Sequence, residues 1–312
     1  MMTVKKFKNV KHQTPEICLM AVKTNGLSLE FVQNQTPEIC IAAIKNNKHV
    51  FKFVKEQTPE ICMTVVQIDG LALASVKEQT LDICMAAVKK NAYALQFVKK
   101  QTPEICLMAI QTNGLALEFV KEQTYDICLA AVQNNPFAFT FVKEQTHDIC
   151  MEAVRNCGSL LKYVKEQTSD ICAAAVKNDE FVFGYVKEQT PDVCMSVVQN
   201  NGLFLKDVKQ QTPDICMAAV QNDGRALEFV KEQTPDICTA AVKNNENAIP
   251  FCKFNYSKYY TIIEQTDDCM ICYENDGEWC QLYSCKHKFH KECLKTSKNC
   301  PYCRTPFIYK FS

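Results

Sequence analysis

Eight cysteines and histidines near the C-terminus arrive in four close pairs: Cys269-x2-Cys272, Cys285-x-His287, His290-x2-Cys293 and Cys300-x2-Cys303, with twelve, two and six residues between successive pairs. A pair separated by one or two residues can turn a tight knuckle around one ion, and a tetrahedral zinc ion takes four thiolate or imidazole ligands. Eight such ligands fit two zinc ions with no remainder. Iron–sulfur clusters also take thiolates, but two central histidines and the lack of a block of four close cysteines favour zinc. The segment is too short to build an adequate apolar core, so metal binding must supply much of its folding free energy. Cys280 falls outside the pairs and reads as a free thiol, and Phe289 reads as core.

The elements in front of these pairs repeat. From Gln13 to about Pro250 the sequence recurs with a period of 22 residues in eleven copies, each opening on Gln-Thr and reading approximately QTPEICMAAVKNNGLALEFVKE. Thr is a good N-cap, Pro follows it in seven copies, and the next residue is acidic in all eleven, favourable at a helix N-terminus. A first helix therefore starts there. It is expected to stop about eleven residues later at Asn-Gly or a similar pair, with Gly in six copies (Gly26, Gly70, Gly114, Gly158, Gly202, Gly224) serving as the C-terminal stop. A second apolar stretch, such as Leu27, Leu29, Phe31 and Val32, reads as a second helix. One continuous helix would also keep a 22-residue stripe aligned, but each interior Pro would cost about 3 kcal/mol. Helices this short do not persist alone, so the pairs must stack on one another as a solenoid. Pro250 is expected to interrupt the last copy, and Asn255-Tyr256 replaces the next Gln-Thr.

One cysteine recurs four residues after each Thr, from Cys18 to Cys238. No histidine or acid recurs on the same face to complete a metal site, and these thiols read as small buried hydrophobes. The recurring Gln reads as structural, bonding backbone at the turn between copies. Thirty-five basic residues balance thirty-five acidic ones without a segregated basic run, which argues against nucleic acid and anionic membrane as partners. The longest apolar runs are far below the roughly 20 residues that span a bilayer, and no h-region follows the basic N-terminus, so the expected location is cytoplasmic or nuclear and not secreted.

The repeat, in the wording EQTPEIC, AAVKNN and LALEFVKEQT, resembles a 22-residue repeat of uncharacterised function in proteins of mimivirus-type giant DNA viruses. That resemblance implies a viral protein acting in a host cell. The ligand order at the C-terminus, with its short central run Cys-x-His-x2-His-x2-Cys, resembles the RING-H2 family of ubiquitin ligases. It implies that Cys269, Cys272, His290 and Cys293 bind a first zinc ion and Cys285, His287, Cys300 and Cys303 a second. It also implies that Ile271 and Pro301 contact a ubiquitin-conjugating enzyme and that Arg304 is the cationic linchpin bridging that enzyme to ubiquitin. Many RING-H2 domains carry Trp four residues after the sixth ligand; here that residue is Ser297, and the Trp of this domain is Trp279 in another loop.

The expected architecture is thus all-α: a partial repeat or cap over residues 1–12, a solenoid of eleven two-helix units over 13–250, a cap or linker over 251–266, a small cross-braced two-zinc RING-H2 finger over 267–306 and a tail over 307–312. The function implied is a RING-type ubiquitin ligase whose solenoid holds a protein substrate, with Lys48, Ala92, Pro136, Glu180 and Glu246 among the variable positions where a partner could be read. The alternative is a non-catalytic scaffold with a structural zinc module. A covalent cysteine relay is not expected, because Cys157, Cys252 and Cys280, the cysteines outside both patterns, lack an activating setting.

Overall fold

The computed structural model describes residues 4–253, 256–257, 260–262, 269, 271–272, 277–282, 286–294, 300–304 and 310–311. Asn255, Cys285 and Ser297 lie outside the described residues. The chain divides into two compact bodies, Met1–Lys165 and Glu166–Ser312, and the division falls among the repeats.

A short helix, α1 (Val4–Lys8), precedes eleven ten-residue α-helices, one per copy, from α2 (Pro15–Thr24) to α12 (Pro235–Asn244). Each begins where the cap chemistry directs. Thr14 is extended and its hydroxyl accepts from the Ile17 N–H at 3.4 Å. The equivalent bond recurs in every copy except one, where the Thr168 hydroxyl turns instead to the Asp170 carboxylate. Asn25 then serves two elements. Its N–H donates to the Ala21 carbonyl and closes the helix, while its side chain accepts from the Leu27 N–H and opens the next.

That next element differs from the expected α-helix. It is a six-residue 3-10 helix, Gly26–Phe31 in the first copy, and the same form recurs in all eleven. Its bonds run three residues back, from Ser28 N–H to Asn25 O at 2.9 Å and from Val32 N–H to Leu29 O at 3.1 Å. Three residues per turn put Gly26, Leu29 and Val32 on one buried face. With so few residues before the next Gln-Thr, the tighter helix covers more length per residue than an α-helix would. Pro250 does not interrupt the last copy. It sits inside the 3-10 helix Glu246–Phe251, whose closing bond, Cys252 N–H to Ile249 O at 3.1 Å, needs no donor at residue 250.

The glycines have a different role from the one expected. Gly277 alone among the described glycines has a positive φ, so those after the helices are not left-handed stops. They provide space. A Cβ on Gly70 would lie 2.4 Å from the Ala87 carbonyl oxygen in the following copy. In the corresponding gap after the first copy the Gly26 N–H donates to Asn46 Oδ1 at 2.7 Å, and Asn46 Nδ2 donates to Lys23 O at 3.0 Å.

Gln supplies the second tie between copies. Gln35 Nε2 donates to Leu29 O of the preceding copy at 3.2 Å and to Phe53 O of its own at 3.0 Å, while its Oε1 accepts from the Lys55 N–H at 2.9 Å. The eleven array cysteines are buried and form no disulfide, as the core reading requires, and Cys40 Sγ sits 3.8 Å from the same Gln35 oxygen. Ile61, Cys62, Val65 and Val66 are at most 2% exposed, which illustrates the recurring core. Each such Ile or Val side chain contributes roughly 1.5–3 kcal/mol by leaving water.

The C-terminal part is built on strands. β1 (Tyr256–Ser257) pairs antiparallel with β5 (Lys310–Phe311), and β2 (Tyr260–Ile262), β3 (Trp279–Leu282) and β4 (Lys288–His290) form an antiparallel sheet in that order. β1 and β2 thus come from the stretch expected to be a cap or linker. Cys269, Trp279, Cys280, Leu282, Phe289, Leu294 and Cys300 form a buried cluster, with Cys272 and Cys293 against it.

Candidate metal centre

The β3–β4 hairpin positions the first group. Along β4, Lys288 is exposed while Phe289 and His290 are buried, so the strand turns His290 inward, and its ring meets the knuckle that carries Cys269 and Cys272. His290 Nδ1 lies 3.2 Å from Cys272 Sγ, and the sulfurs of Cys269, Cys272 and Cys293 with one His290 nitrogen all fall within 4.8 Å of one another. Four ligands at ~2.3 Å from a tetrahedral centre are about 3.8 Å apart, so this group has the dimensions of a zinc site. Three thiols and an imidazole, with no carboxylate, are a soft donor set that suits zinc rather than calcium or magnesium.

Electrostatics point the same way. Burial raises the Cys269 thiol, but the backbone N–H groups of His290, Cys272 and Ile271 aimed at its sulfur outweigh that and leave it below its ordinary value. Cys293 is pushed up to about 12, first by burial and then by Cys272 and Cys269 beside it. Such crowded thiols lose their protons together only when a cation sits among them. The imidazole is held from behind. Trp279 stands edge-on to it with ring centroids 4.5 Å apart, and Gly277, at φ 148°, lies so close that a Cβ would be 3.1 Å from His290 Cδ2. His290 Nε2 is buried without a hydrogen-bond partner among the described residues, enclosed on this apolar side.

The second group gathers His287, Cys300 and Cys303 within the same 4.8 Å limit. His287 Nδ1 is 3.6 Å from Cys300 Sγ, which also accepts from the Cys303 N–H at 3.5 Å. The Tyr302 ring covers His287 with centroids 4.7 Å apart. Two residues in left-handed conformations shape the loops: Lys286 at φ 62° and Arg304 at φ 63°. The Arg304 N–H closes the second knuckle by donating to Cys300 O at 2.9 Å. The groups interleave along the chain, since residues 269, 272, 290 and 293 meet in one and residues 287, 300 and 303 in the other.

The surface residues proposed from sequence sit on the knuckles. Ile271, 36% exposed, lies between the first two cysteines, and Pro301, Tyr302 and Arg304 are exposed on the other knuckle. Tyr302 and Gly277 were not singled out by sequence; the signals available were an aromatic inside a metal knuckle and a glycine in the ligand-bearing segment. Trp279 is buried, 3% exposed, and supports His290 rather than offering a groove contact. Cys280 stays outside both groups and donates to Phe289 O at 3.3 Å. Cys157 meets Ser159 Oγ and Cys252 meets Ala248 O, neither of which is a base. Of the variable array positions, Lys48 and Glu246 are exposed and Pro136 and Glu180 half-buried, but Ala92 is buried and unable to touch a partner.

No helix among the described residues is long and apolar enough to cross a membrane. Residues 14–58, 80–124, 102–146 and 124–168 match a family described as Domain of unknown function (DUF4116), and residues 267–304 match the family described as Ring finger domain. Over 52 residues the chain is 42% identical to the Brassinosteroid-responsive RING protein 1 of Arabidopsis thaliana, a match covering 14% of this chain and 29% of that relative. The chain therefore spans under a third of the length of that relative. No solved structure matches. The protein is mostly helical, with repeated helix units of which four stretches match DUF4116, followed by a region that matches the Ring finger family and carries cysteine and histidine groups suited to zinc.

Proposed function

We propose that this protein is a RING-type ubiquitin ligase that recruits a ubiquitin-charged conjugating enzyme through its C-terminal domain and a protein substrate through the repeats. The observation that carries this reading is the pair of interleaved soft-ligand groups whose knuckles bear exposed Ile271, Pro301 and Arg304. In this reading Cys269, Cys272, His290 and Cys293 hold one zinc ion and Cys285, His287, Cys300 and Cys303 a second. Bound zinc would supply folding free energy to the domain rather than a reactive centre. The chain's own residues do the rest by positioning. Ile271 and Pro301 offer an apolar seat to the conjugating enzyme, and Arg304, a planar cation with several donors, bridges enzyme and ubiquitin. A substrate lysine amine then attacks the thioester carbonyl, the enzyme's cysteine leaves as thiolate, and no cysteine of this chain becomes acylated. The wording of the repeats supports a giant-virus origin, with action in the cytoplasm or nucleus of a host cell.

The test is discharge of ubiquitin from preloaded conjugating enzymes onto free lysine by the full-length chain. Wild type is expected to accelerate discharge, with Ile271→Ala and Arg304→Ala each slowing it at least tenfold. A second reading, a non-catalytic scaffold, draws on Ser297 where many RING-H2 domains have Trp. Metal-loaded protein that accelerates no enzyme in a broad panel would establish that reading in place of the ligase.

A further inference from the structure

Within the body Glu166–Ser312, three departures from the repeat meet in one place. Gly184 occupies a position filled by Glu, Lys, Gln, Thr, Ala or Pro in the other ten copies. Phe204 stands where the others have Ala, Val, Ser or Leu. Asp207 stands where nine of the other ten copies have Phe or Tyr and one has Ser. Gly184 belongs to one copy, and Phe204 and Asp207 to the next.

Together they open a notch of about 340 Å³ on the surface made by the 3-10 helices. The glycine is not demanded by the backbone, since its φ is ordinary. What it provides is room: a Cβ there would meet nothing within 4 Å. Phe204 is too large for the buried place its smaller counterparts fill, and its half-exposed ring becomes a wall. It stands nearly perpendicular to Phe181, at 5.8 Å and 74°, and to Phe183, at 6.4 Å and 87°. Phe181 is 75% exposed, the highest value among the exposed large hydrophobics of the described residues. Asp207 lines the same notch with an exposed carboxylate, and its backbone is fixed by Gln189 Nε2 donating to Asp207 O at 3.1 Å.

These groups select a ligand by their chemistry. An apolar partner would be served better by the aromatic residue that the repeat normally carries at position 207, and would leave the carboxylate desolvated and unpaired. A cation on an apolar stem satisfies both parts, with methylenes against the rings, positive charge near their faces and the carboxylate as counter-ion. We propose that this notch binds a basic side chain, arginine or lysine with or without methylation, displayed on an exposed segment of a partner protein. The proposal rests on the reading of the repeats as the arm that captures a protein. Lys209 shares the rim, where its ammonium opposes an incoming cation, so Lys209→Ala tightens binding.

The test uses the full-length chain and fluorescein-labelled peptides Ala-Ala-Gly-X-Gly-Ala-Ala, with X arginine, lysine, trimethyllysine or norleucine, read by fluorescence anisotropy. At least one cationic peptide is expected to bind tenfold or more tightly than the norleucine peptide, and which of the three leads identifies the preferred cation. Phe181→Ala and Asp207→Phe should each weaken that binding at least fivefold with unchanged circular dichroism, because one residue is largely exposed and the other change restores the repeat's own residue. Equal binding of norleucine and cations, unchanged or tighter binding by Asp207→Phe, weaker binding by Lys209→Ala, or no binding of any peptide at millimolar concentration would each overturn the proposal. No ubiquitin component enters the assay, so its failure is distinguishable from failure of ligase activity.

Discussion

The indole of Trp279 and the imidazole of His290 meet edge-on across the β3–β4 pairing, ring centroids 4.5 Å apart at 69°, with Trp279 3% exposed. Trp279 is the single tryptophan of the chain. Its fluorescence therefore reports on the first ligand group alone, without a contribution from the repeats.

Metal removal follows directly. Addition of a strong chelator should shift the Trp279 emission to the red as the sheet opens, release zinc measurable with a chromogenic indicator at two equivalents per chain, and leave far-ultraviolet helicity nearly intact. His290→Ala should show the shifted emission before any chelator is added. An emission spectrum indifferent to chelation would mean that the domain stands without metal.

Gln79 ties two copies in the way of Gln35, donating to Leu73 O at 3.4 Å and Phe97 O at 3.0 Å and accepting from the Lys99 N–H at 2.9 Å. Gln79→Ala leaves the two part-buried carbonyls without this donor and the more exposed Lys99 N–H without its acceptor, and should cost about 2–3 kcal/mol in chemical denaturation of the full chain. A loss below about 0.5 kcal/mol would show water replacing the side chain at no penalty.

Two glycines should respond oppositely to alanine. At Gly70 the new methyl would press on the Ala87 carbonyl 2.4 Å away, and a loss of about 1–3 kcal/mol is expected. At Gly184 nothing lies within 4 Å, and restricting the unfolded chain should stabilise the protein by up to about 1 kcal/mol. Thermal unfolding of the two variants side by side decides whether space, rather than backbone conformation, is what the first glycine supplies.

Burial pushes the Cys172 thiol from its ordinary 9.0 up to about 11, with Asp170 adding to the rise. A raised folded-state value stabilises the fold fully below the unfolded value, and that contribution is lost as pH climbs from about 9 toward 11. The chain should lose stability between pH 9 and 11, and Cys172→Ala should lose less over the same interval than wild type. Equal alkaline losses would assign the whole effect to other groups. In native protein at pH 8, the array thiols should react with an aromatic disulfide reagent far more slowly than after unfolding.

Several features were legible because their causes act over a few residues of chain. Thr14, Pro15 and Glu16 announce a helix start by capping and charge, and the Asn-Gly pair marks its end, although it is the Asn25 N–H that closes the helix rather than the glycine. The pairing of Cys269 and Cys272 with His290 and Cys293 came from resemblance, and the structure gathers those four side chains into one group. The 3-10 form was missed because apolar residues were read at the period of an α-helix; the spacing of three between Gly26, Leu29 and Val32 was the signal for the tighter one. Ala92 was misread as a surface position for a related reason. Variability among copies does not report burial, and this residue is 3% exposed.

By itself the sequence determined the period, the approximate start and stop of each α-helix, the residues able to ligate metal and the lack of an apolar run as long as a membrane-spanning helix needs. These depend on local hydrogen bonding, side-chain type and apolar run length, which are properties of neighbouring residues. Only the tertiary structure decided what Gln35 bonds, why Gly70 must be small, which groups hold the His290 ring and how Gly184, Phe204 and Asp207 converge. Each of these depends on a partner far along the chain, such as Phe53 18 residues beyond Gln35, and stacking or strand pairing is what brings the two within a few ångströms.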